Sequence, residues 1–463
     1  MSSRIPGHGG LVNSSKPLTF QFNGKELEGF QGDTLASALL ANNQLLIGRS
    51  FKYHRPRGLV ASGAEEPNGL VGLGEANSFE PNARATTTEL FDGLVSCSQN
   101  HWPSLEFDIG YVNNYLSSLL PAGFYYKTFI HPRPAWKYIF EPIIRRSAGL
   151  GKPTKGKDPD KYEHFYAYVD VLIVGGGISG LYSAKVAAKS GARVLLIEQT
   201  PHLGGQASID NPLIDQGSIA KWITELTKEL EGMNNVTIKA RTVGVGVYDH
   251  GYSLAYERLT DHQLNLSGSR HRLWKIRAKQ IITATGAIER PLSFANNDVP
   301  GVMLASAVRN YLTNYGVSIG DRTVVVTNND DAYRTAISLK NAGLSVPLII
   351  DSRPSGAGEL AKTARDLGIR IENGKAISIV HGKDRVKGIS LCDQVGSGTV
   401  LEEISCDAVA MSGGWSPVVH LWSHCGGKLN WDNELCAFRP DTQLPPTGVN
   451  GLACLSVVGS ANG

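Results

Sequence analysis

The stretch that most constrains this sequence is V-D-V-L-I-V-G-G-G-I-S-G, residues 169–180. Its apolar residues, interrupted only by Asp170, predict a buried strand of a parallel sheet, and Ile178–Lys189 has the apolar spacing of a helix. A second buried strand is predicted over 192–197 and leads into Glu198, 18 residues after the last glycine of the motif. Strand, G-x-G-x-x-G, helix, strand and acid in this order predict a β-α-β unit that binds a dinucleotide.

Each glycine of this motif is expected to have its own mechanical role. Gly175 makes the tight turn, Gly177 lets the backbone approach a pyrophosphate, and Gly180 lets helix and strand pack closely. The amides at the helix N-terminus then face the phosphates, and Glu198 accepts hydrogen bonds from ribose hydroxyls. A glycine-rich turn in an unrelated α/β domain is the weaker interpretation, because it does not require all five features in register.

Composition excludes several classes of function. The 45 basic and 42 acidic residues nearly balance, which argues against nucleic acid as the main partner. The 463 residues suggest about three domains of about 150 residues. No run approaches the roughly 18 apolar residues of a membrane span, and the N-terminus lacks the apolar stretch of a secretory signal.

The cysteine pattern predicts a reduced, cytoplasmic protein. None of the six cysteines forms a C-x-x-C pair, so zinc, iron–sulfur and redox-dithiol sites find no support and no metal site is predicted. Scattered cysteines in a long chain are typical of free thiols in the cytoplasm. The cysteines are Cys97, Cys392, Cys406, Cys425, Cys436 and Cys454.

The first hundred residues predict a ferredoxin-like β-grasp domain. Apolar and polar residues alternate over 17–30 around Asn23-Gly24, which is a hairpin signal, and 34–42 has helical spacing with Asp33 as a plausible cap. A plant-type ferredoxin would place cluster cysteines around residues 62–67, where this chain reads S-G-A-E-E-P. We therefore expect the ferredoxin fold without a cluster.

Two segments of this region leave alternatives open. The basic and aromatic stretch 48–58 could clamp a phosphate or a protein partner, or be a solvated loop. Residues 108–150 suit either a protein interface or a strap packed over the chain's own domains, and their prolines at 132, 134 and 142 forbid one long helix. The aromatic residues of this segment are Phe124, Tyr125, Tyr126, Phe129, Trp136, Tyr138 and Phe140.

Further motifs complete the first dinucleotide-binding domain. Gly204-Gly205 follows the ribose acid and is expected to touch the nucleotide again. A strand over 280–286 ends in A-T-G, where the small Thr285 and Gly286 allow close approach to the nucleotide. Between these motifs the sequence predicts a helix, a strand and a β-meander over 219–233, 236–240 and 243–275.

A second β-α-β pattern begins at Thr323, and its second strand ends at Asp351. The glycines of a phosphate-binding turn are missing, and Asn328, Asn329 and Asp330 stand there instead. Because an Asp at this turn repels a pyrophosphate, we predict a nucleotide-binding domain in shape with a degraded phosphate site.

Six motifs in order carry a resemblance to a known family. The chain resembles the two-dinucleotide-binding-domain flavoproteins and, more specifically, the N-terminal half of the α subunit of heterotetrameric sarcosine oxidase. The motifs are G-R-S-F-K-Y-H-R-P-R-G (48–58), G-F-Y-Y-K-T-F (123–129), E-P-I-I-R-R-S-A-G-L-G (141–151), N-D-V-P-G-V-M (297–303), T-N-N-D-D-A-Y (327–333) and S-G-G-W-S-P-V-V-H-L (412–421).

The resemblance implies an α/β chain with a cluster-free ferredoxin-like β-grasp domain followed by a disulfide-reductase-like pair of Rossmann-type dinucleotide-binding domains. The predicted parts are a β-grasp domain at 1–105, a strap and linker at 106–165, the first dinucleotide-binding domain at 166–300, an inserted second Rossmann-like domain at 301–400, and a return segment at 401–463 that we expect to be truncated.

The resemblance also implies NAD in this chain, with the flavins (FAD and FMN) on a β subunit or at its interface. FAD at the Gly175 site is the alternative. The predicted cofactor-binding residues are Gly175, Gly177, Ser179, Gly180, Glu198, Gln199, Gly204, Gly205, Gln206, Val243, Thr285, Gly286 and Ala461.

The implied function is that of a subunit in a complex that demethylates sarcosine to glycine with O2, giving H2O2 and a one-carbon unit for tetrahydrofolate. The partners would be the flavin-carrying β subunit and smaller subunits. The family's folate-binding half is missing here, so we do not assign folate binding to this chain. No catalytic residue is predicted, and His54, His131 and His420 are interpreted as structural or interface residues.

Two alternatives from other classes stay open. One is a self-contained FAD-dependent amine or imino-acid dehydrogenase, or an NAD(P)H-dependent reductase. The other is a non-catalytic scaffold subunit. The degraded second site and the lack of paired cysteines disfavour the first alternative.

Overall fold

The computed structural model describes residues 3–120, 123, 131–210, 213–214, 217–263, 268–355, 358–448 and 451–463. Its contacts divide the chain into two units. Unit 1 contains Met1–Pro159 and Pro291–Gly413, and unit 2 contains Asp160–Arg290 and Gly414–Gly463. The inserted domain was predicted to span 301–400, whereas the second segment of unit 1 runs from Pro291 to Gly413. Its C-terminal extension contains strand Ala408–Ser412, which pairs inside the sheet of unit 1.

The N-terminal part of unit 1 is the predicted β-grasp domain. Its hairpin turns at Asn23 and Gly24, whose φ values of 52° and 73° are those of a tight turn that suits these residue types. Helix Leu35–Ala41 is buried along its whole length beside the sheet. The five strands lie in the order Lys25–Gln31, Asn13–Phe22, Leu94–Ser98, Leu70–Leu73 and Glu80–Arg84, with the second and third parallel.

The cap of this helix differs from the prediction. Thr34, not Asp33, is the N-cap. Its hydroxyl accepts the Ser37 N–H, and the Ser37 hydroxyl accepts the Thr34 N–H. The Asp33 carboxylate instead pairs with Arg4 at 2.8 Å and accepts the Phe30 N–H at 2.9 Å. Asp33 therefore closes the preceding turn and accepts the Ser37 hydroxyl at 2.7 Å, but it caps no helix N–H.

The second part of unit 1 is a Rossmann-like domain. Helices Ala305–Tyr315, Asp331–Asn341 and Glu359–Asp366 accompany a five-stranded parallel sheet. A three-stranded antiparallel sheet follows, and one hydrophobic core runs through this domain and the β-grasp domain. The parallel strands lie in the order Val302–Leu304, Ala408–Ser412, Thr323–Thr327, Ile349–Asp351 and Ile371–Asn373, and the antiparallel strands are Lys375–Gly382, Val386–Asp393 and Val400–Ile404.

The basic stretch 48–58 is folded onto unit 1 rather than solvated. Arg49 is buried and donates to the Leu105 carbonyl. Both Arg55 and Arg57 pair with Asp298. His54, also buried, contacts the Asp108 carboxylate at 2.6 Å, which supports its interpretation as a structural residue.

The strap contains three consecutive helical pieces: Arg133–Ala135, a π-helical turn at Trp136–Phe140, and Glu141–Ser147. Pro142 stands in the first turn of the last piece, where its missing N–H is tolerated. Helical backbone therefore continues across Pro134 and Pro142 over residues 133–147, with a change from α to π hydrogen bonding at 136–140 where a break was predicted. Phe124, Tyr125, Tyr126 and Phe129 lie outside the described residues.

Unit 2 is built on a mixed sheet with a hydrophobic core on each face. Helices Ile178–Lys189 and Ile219–Glu231 cover one face, and the short helix His420–His424 packs on the other. The strands lie in the order Val236–Lys239, Val194–Ile197, Tyr162–Val174, His271–Thr283, Tyr252–Arg258 and Thr242–Tyr248, with Leu455–Val457 paired to His271–Thr283.

Smaller elements finish unit 2. Strand Ala287–Glu289 pairs with Trp415–Pro417, and Leu429–Asp432 pairs with Ala437–Pro440. A 3₁₀ turn at Gly459–Asn462 follows the last strand. Among the described residues of both units, none of the helices has the length and apolarity needed to cross a bilayer.

We expect Thr34→Ala to lower the free energy of unfolding by about 0.5–2 kcal/mol, because it leaves a helix N–H without its cap. Urea denaturation followed by circular dichroism measures this. Thr224→Ala, on the exposed face of another helix, is the matched control and should leave stability unchanged or slightly raised. Equal effects of the two substitutions would contradict the assignment of the cap.

Candidate functional site

The glycine turn joins strand Tyr162–Val174 to helix Ile178–Lys189. Gly175 has φ of 110°, and a Cβ there would lie 2.3 Å from the Ala284 carbonyl oxygen. A Cβ on Gly180 would lie 1.9 Å from the Gly175 carbonyl oxygen. Any side chain at either position would therefore push the helix away from the sheet.

Gly177 differs from both of these glycines. It is the N-cap of the helix, and a Cβ placed on it meets no protein atom within 4 Å. The turn thus leaves open space directly before a 12-residue helix, whose first N–H groups have no intrahelical partner. This is the geometry in which a pyrophosphate approaches helix amides.

Glu198 lies beside this turn at the end of strand Val194–Ile197 and is 7% exposed. One carboxylate oxygen accepts the Gly176 N–H at 2.7 Å, and the other accepts the Thr200 N–H at 2.8 Å and hydroxyl at 2.9 Å. A carboxylate has about four acceptor positions, so one remains for a ribose hydroxyl. Sequence reasoning missed Gly176 as the residue that ties the acid to the turn, because it occupies an unspecified position of the G-x-G-x-x-G motif.

The Gly204-Gly205 pair returns to the same place. The Gly204 N–H donates to the Gly176 carbonyl at 2.9 Å. A Cβ on Gly205 would lie 3.2 Å from the Gly177 Cα. The two glycine segments therefore form one small-residue surface around the open space at Gly177.

Other predicted residues border this region to different degrees. A Cβ on Gly459 would lie 2.4 Å from the Ser179 hydroxyl, which brings the last turn, with the fully buried Ala461, next to the first turn of the helix. The Thr285 hydroxyl donates to the Val418 carbonyl at 2.8 Å, and Gly286 accepts the Val418 N–H at 3.0 Å.

Three predicted residues are less closely tied to the turn. Gln199 and Val243 have exposed side chains near the carboxyl edge of the sheet. Gln206 is half-buried and its amide donates to the Asp210 carboxylate at 3.2 Å. The role of each in binding stays a prediction.

The corresponding turn of the Rossmann-like domain in unit 1 carries an internal ion-pair network. Arg353 donates to Asp330 at 2.7 Å and to the fully buried Asp351 at 2.7 Å. The Tyr333 hydroxyl also donates to Asp351 at 2.8 Å. The Asp351 carboxylate raises the pKa of Arg353, so this guanidinium stays charged and occupies the acid that a ribose would need.

Asp170, the polar residue inside the first strand of the motif, has a structural role. It accepts the Arg193 N–H at 2.8 Å and pairs with Lys279 at 2.9 Å. The Arg193 backbone N–H and the Lys279 ammonium hold the pKa of the Asp170 carboxyl well below its usual range. The side chain thus links strand Tyr162–Val174 to strand His271–Thr283 and to the residue that precedes strand Val194–Ile197.

Comparison with protein families defines the class of the chain. Residues 15–101 match the family of 2Fe-2S iron-sulfur cluster binding domains, and residues 170–286 match the FAD dependent oxidoreductases. L-proline dehydrogenase from P. horikoshii has the same fold, with a TM-score of 0.62 at 22% identity over 100% of this chain and 71% of that one. The chain combines a ferredoxin-like domain with an oxidoreductase-type dinucleotide-binding unit.

Two curated relatives narrow this class. Sarcosine oxidase subunit alpha from Rhizobium meliloti (strain 1021) is 45% identical over 97% of this chain and 44% of the relative. The subunit from Corynebacterium sp. (strain U-96) is 35% identical over 93% of this chain and 41% of the relative. The chain belongs to the sarcosine oxidase α-subunit family, and it spans less than half the length of these relatives.

The β-grasp domain does not fit the iron–sulfur cluster of the family that it matches. A [2Fe–2S] cluster needs four thiolate ligands, whereas Cys97 is the single cysteine between residues 15 and 101. Across the described residues, no group of three or more His, Cys, Asp or Glu side chains is arranged to hold a metal ion. We therefore assign no electron transfer to this domain.

We expect Gly177→Val to give a folded protein that retains no nucleotide, because the new side chain meets open space in the protein and occupies the place of the pyrophosphate. Nucleotide released on denaturation, quantified by chromatography, measures the loss. Gly232→Val, at the end of another helix of unit 2, is the control and should keep the nucleotide. Full occupancy in the Gly177 variant would refute the site.

Glu198→Ala should weaken nucleotide binding by roughly 1.5–3 kcal/mol, the range for hydrogen bonds to a charged group. Calorimetric titration of the nucleotide-free protein measures this loss. Thr200→Val removes only one bond that orients the carboxylate and should have a much smaller effect. A Glu198 variant with unchanged affinity would exclude the carboxylate as a ribose acceptor.

Proposed function

We propose that this chain is the nucleotide-binding α subunit, or a portion of it, of a multisubunit sarcosine oxidase. The likeness to sarcosine oxidase α subunits along nearly the whole chain carries this proposal. The complex would convert sarcosine, water and O2 into glycine, H2O2 and a one-carbon unit at the oxidation level of formaldehyde, which passes to tetrahydrofolate.

The proposed nucleotide of this chain is NAD, and the flavins that oxidise the amine are proposed to lie on a partner β subunit. Two observations support this division. Arg353 and Asp351 neutralise each other at the second nucleotide turn, so the acid that a second dinucleotide would need at this turn is already occupied. The sequence also lacks a C-x-x-C pair of the kind that passes electrons between a dithiol and a flavin.

The residues of this chain would then bind and orient the dinucleotide. The helix amides after Gly177 would bind the pyrophosphate, and Glu198 would accept from a ribose hydroxyl. Gly204 and Gly205, which have no side chains, would leave room for the cofactor beside Gly177. A bound NAD supplies a hydride acceptor, and the remaining contribution of this chain is a rigid surface for its partners.

The partners are proposed to be a flavin-carrying β subunit and smaller subunits, in the cytoplasm. Subunit names of the relatives support the presence of other chains. Free thiols throughout the chain support a reducing compartment.

A second candidate is a chain that binds FAD at the Gly175 site and oxidises an amine or imino acid by itself. The match of residues 170–286 to the FAD dependent oxidoreductases favours it. This motif accepts either dinucleotide, because pyrophosphate and ribose are common to NAD and FAD.

We expect the purified chain to be colourless and to release NAD on denaturation. Visible absorbance and chromatography of the released nucleotide distinguish this result from FAD, which gives a yellow protein. Sarcosine-dependent O2 consumption is expected only when the chain is purified together with its partner subunits. A yellow chain that oxidises sarcosine alone would replace the proposal with the second candidate, and a chain without nucleotide would favour a scaffold.

A further inference from the structure

The β-grasp domain contains a buried carboxylate at the centre of a loop. Glu66 lies in residues 60–69, which we name the Glu66 loop, and is 1% exposed. Both of its carboxylate oxygens are filled by backbone donors of this same loop. One accepts from Val60 and Ala61 at 2.7 and 2.7 Å, and the other accepts from Asn68 and Gly69 at 2.6 and 3.1 Å.

This environment is unusual for a carboxyl group, because four backbone donors surround it and, in the part of the chain that the structure describes, no ion pair to it is seen. Burial raises the pKa of Glu66, while the four N–H groups oppose that rise. Because all four contacts are donors, they match a carboxylate, and a protonated oxygen would face one of them with its own hydrogen. A buried charge costs several kcal/mol unless it is hydrogen-bonded, so the loop and the carboxylate depend on each other.

The position of the Glu66 loop in the β-grasp domain relates its carboxylate to an iron–sulfur site. It covers residues 62–67, where we expect a plant-type ferredoxin to carry cluster cysteines, and it lies inside the range 15–101 that matches the cluster-binding family. In iron–sulfur proteins the cluster sulfurs accept hydrogen bonds from surrounding groups. Here the acceptor for the loop amides is a side chain of the chain itself.

The outer side of the Glu66 loop contacts the Rossmann-like domain of unit 1. The contacts come from strand Val302–Leu304 and helix Ala305–Tyr315. They are hydrogen bonds from the Leu304 N–H to the Val60 carbonyl at 2.8 Å, from the Tyr311 hydroxyl to the Ala61 carbonyl at 3.2 Å and from the Asn310 amide to the Ser62 hydroxyl at 2.9 Å.

Tyr311 fits this role because it remains a neutral donor. It is 1% exposed, and burial together with the nearby Glu66 charge raises the pKa of its phenol well above the usual value. The hydroxyl therefore keeps its proton and donates to the loop carbonyl over the ordinary range of pH.

We propose that Glu66 replaces the iron–sulfur cluster as the anion around which this loop folds, and that the loop so fixed holds the Rossmann-like domain to the β-grasp domain. A segment that binds a redox cofactor in the matched family thereby becomes an internal docking surface in this chain.

Hydrogen–deuterium exchange of the full chain, read by mass spectrometry, tests this proposal with Glu66→Gln. The variant puts an amide NH2 where two backbone N–H groups need an acceptor. We expect at least about ten-fold faster exchange in peptides covering the Glu66 loop and helix Ala305–Tyr315, since hydrogen bonds to a charged group are lost. Glu65→Gln, at the exposed neighbouring carboxylate, is the control and should leave both peptides unchanged.

Two further variants, Tyr311→Phe and Glu66→Asp, separate the contact between domains from the fold of the Glu66 loop. Tyr311→Phe removes one contact between domains, and it should speed exchange of the helix while the Glu66 loop stays protected. If Glu66→Gln gives no soluble protein, Glu66→Asp, which shortens the side chain, should show the same faster exchange in both peptides. Unchanged loop exchange in the soluble Glu66 variant, or stoichiometric iron and acid-labile sulfide in the purified chain, would overturn the proposal.

Discussion

The structure of unit 2 depends on the parallel pairing of two long strands. Tyr162–Val174 and His271–Thr283 stay in register from the Tyr162 and His271 pair to the Val174 and Thr283 pair. Parallel strands carry their loops to one edge of the sheet at their carboxyl ends. For this reason the glycine turn after one strand and the A-T-G segment after the other meet, and the Ala284 N–H donates to the Val174 carbonyl at 2.8 Å.

The two Rossmann-type domains use the same turn for different purposes. In unit 2, Gly177 leaves open space before a helix and Glu198 retains a free acceptor position. In the Rossmann-like domain of unit 1, Arg353 bridges Asp330 and Asp351. Charge-assisted hydrogen bonds from this guanidinium to both carboxylates hold that turn together without a ligand. The chain thus has one turn open to a nucleotide and one satisfied internally.

Local patterns predicted most of the fold. The hairpin at Asn23, the glycine motif and the helix Ile178–Lys189 each depend on residues close in sequence, and the structure has them. The prediction of Asp33 as the helix N-cap was wrong. Adjacent Asp33 and Thr34 are both good capping residues, and the contact of Asp33 with Arg4 decides between them.

What sequence reasoning could not supply depends on distant partners. Arg55 and Arg57 look solvated in the sequence because Asp298, which neutralises both, lies more than 200 residues away. Glu66 looks like an ordinary surface acid beside Glu65, since nothing local indicates that the chain will bury it. At the candidate site the glycines and Glu198 were predictable, whereas the bond from Gly176 was not.

The pairing of Leu455–Val457 with His271–Thr283 has a consequence for the order of folding. The Thr283 hydroxyl donates to the Ser456 carbonyl across a separation of 173 residues. Because chains emerge from the ribosome N-terminal end first, His271–Thr283 cannot pair with Leu455–Val457 until the intervening domain has been synthesised. An intervening segment that has already folded brings its two ends closer than a flexible loop of that length would. Completion of unit 2 is then coupled to prior folding of the Rossmann-like domain of unit 1.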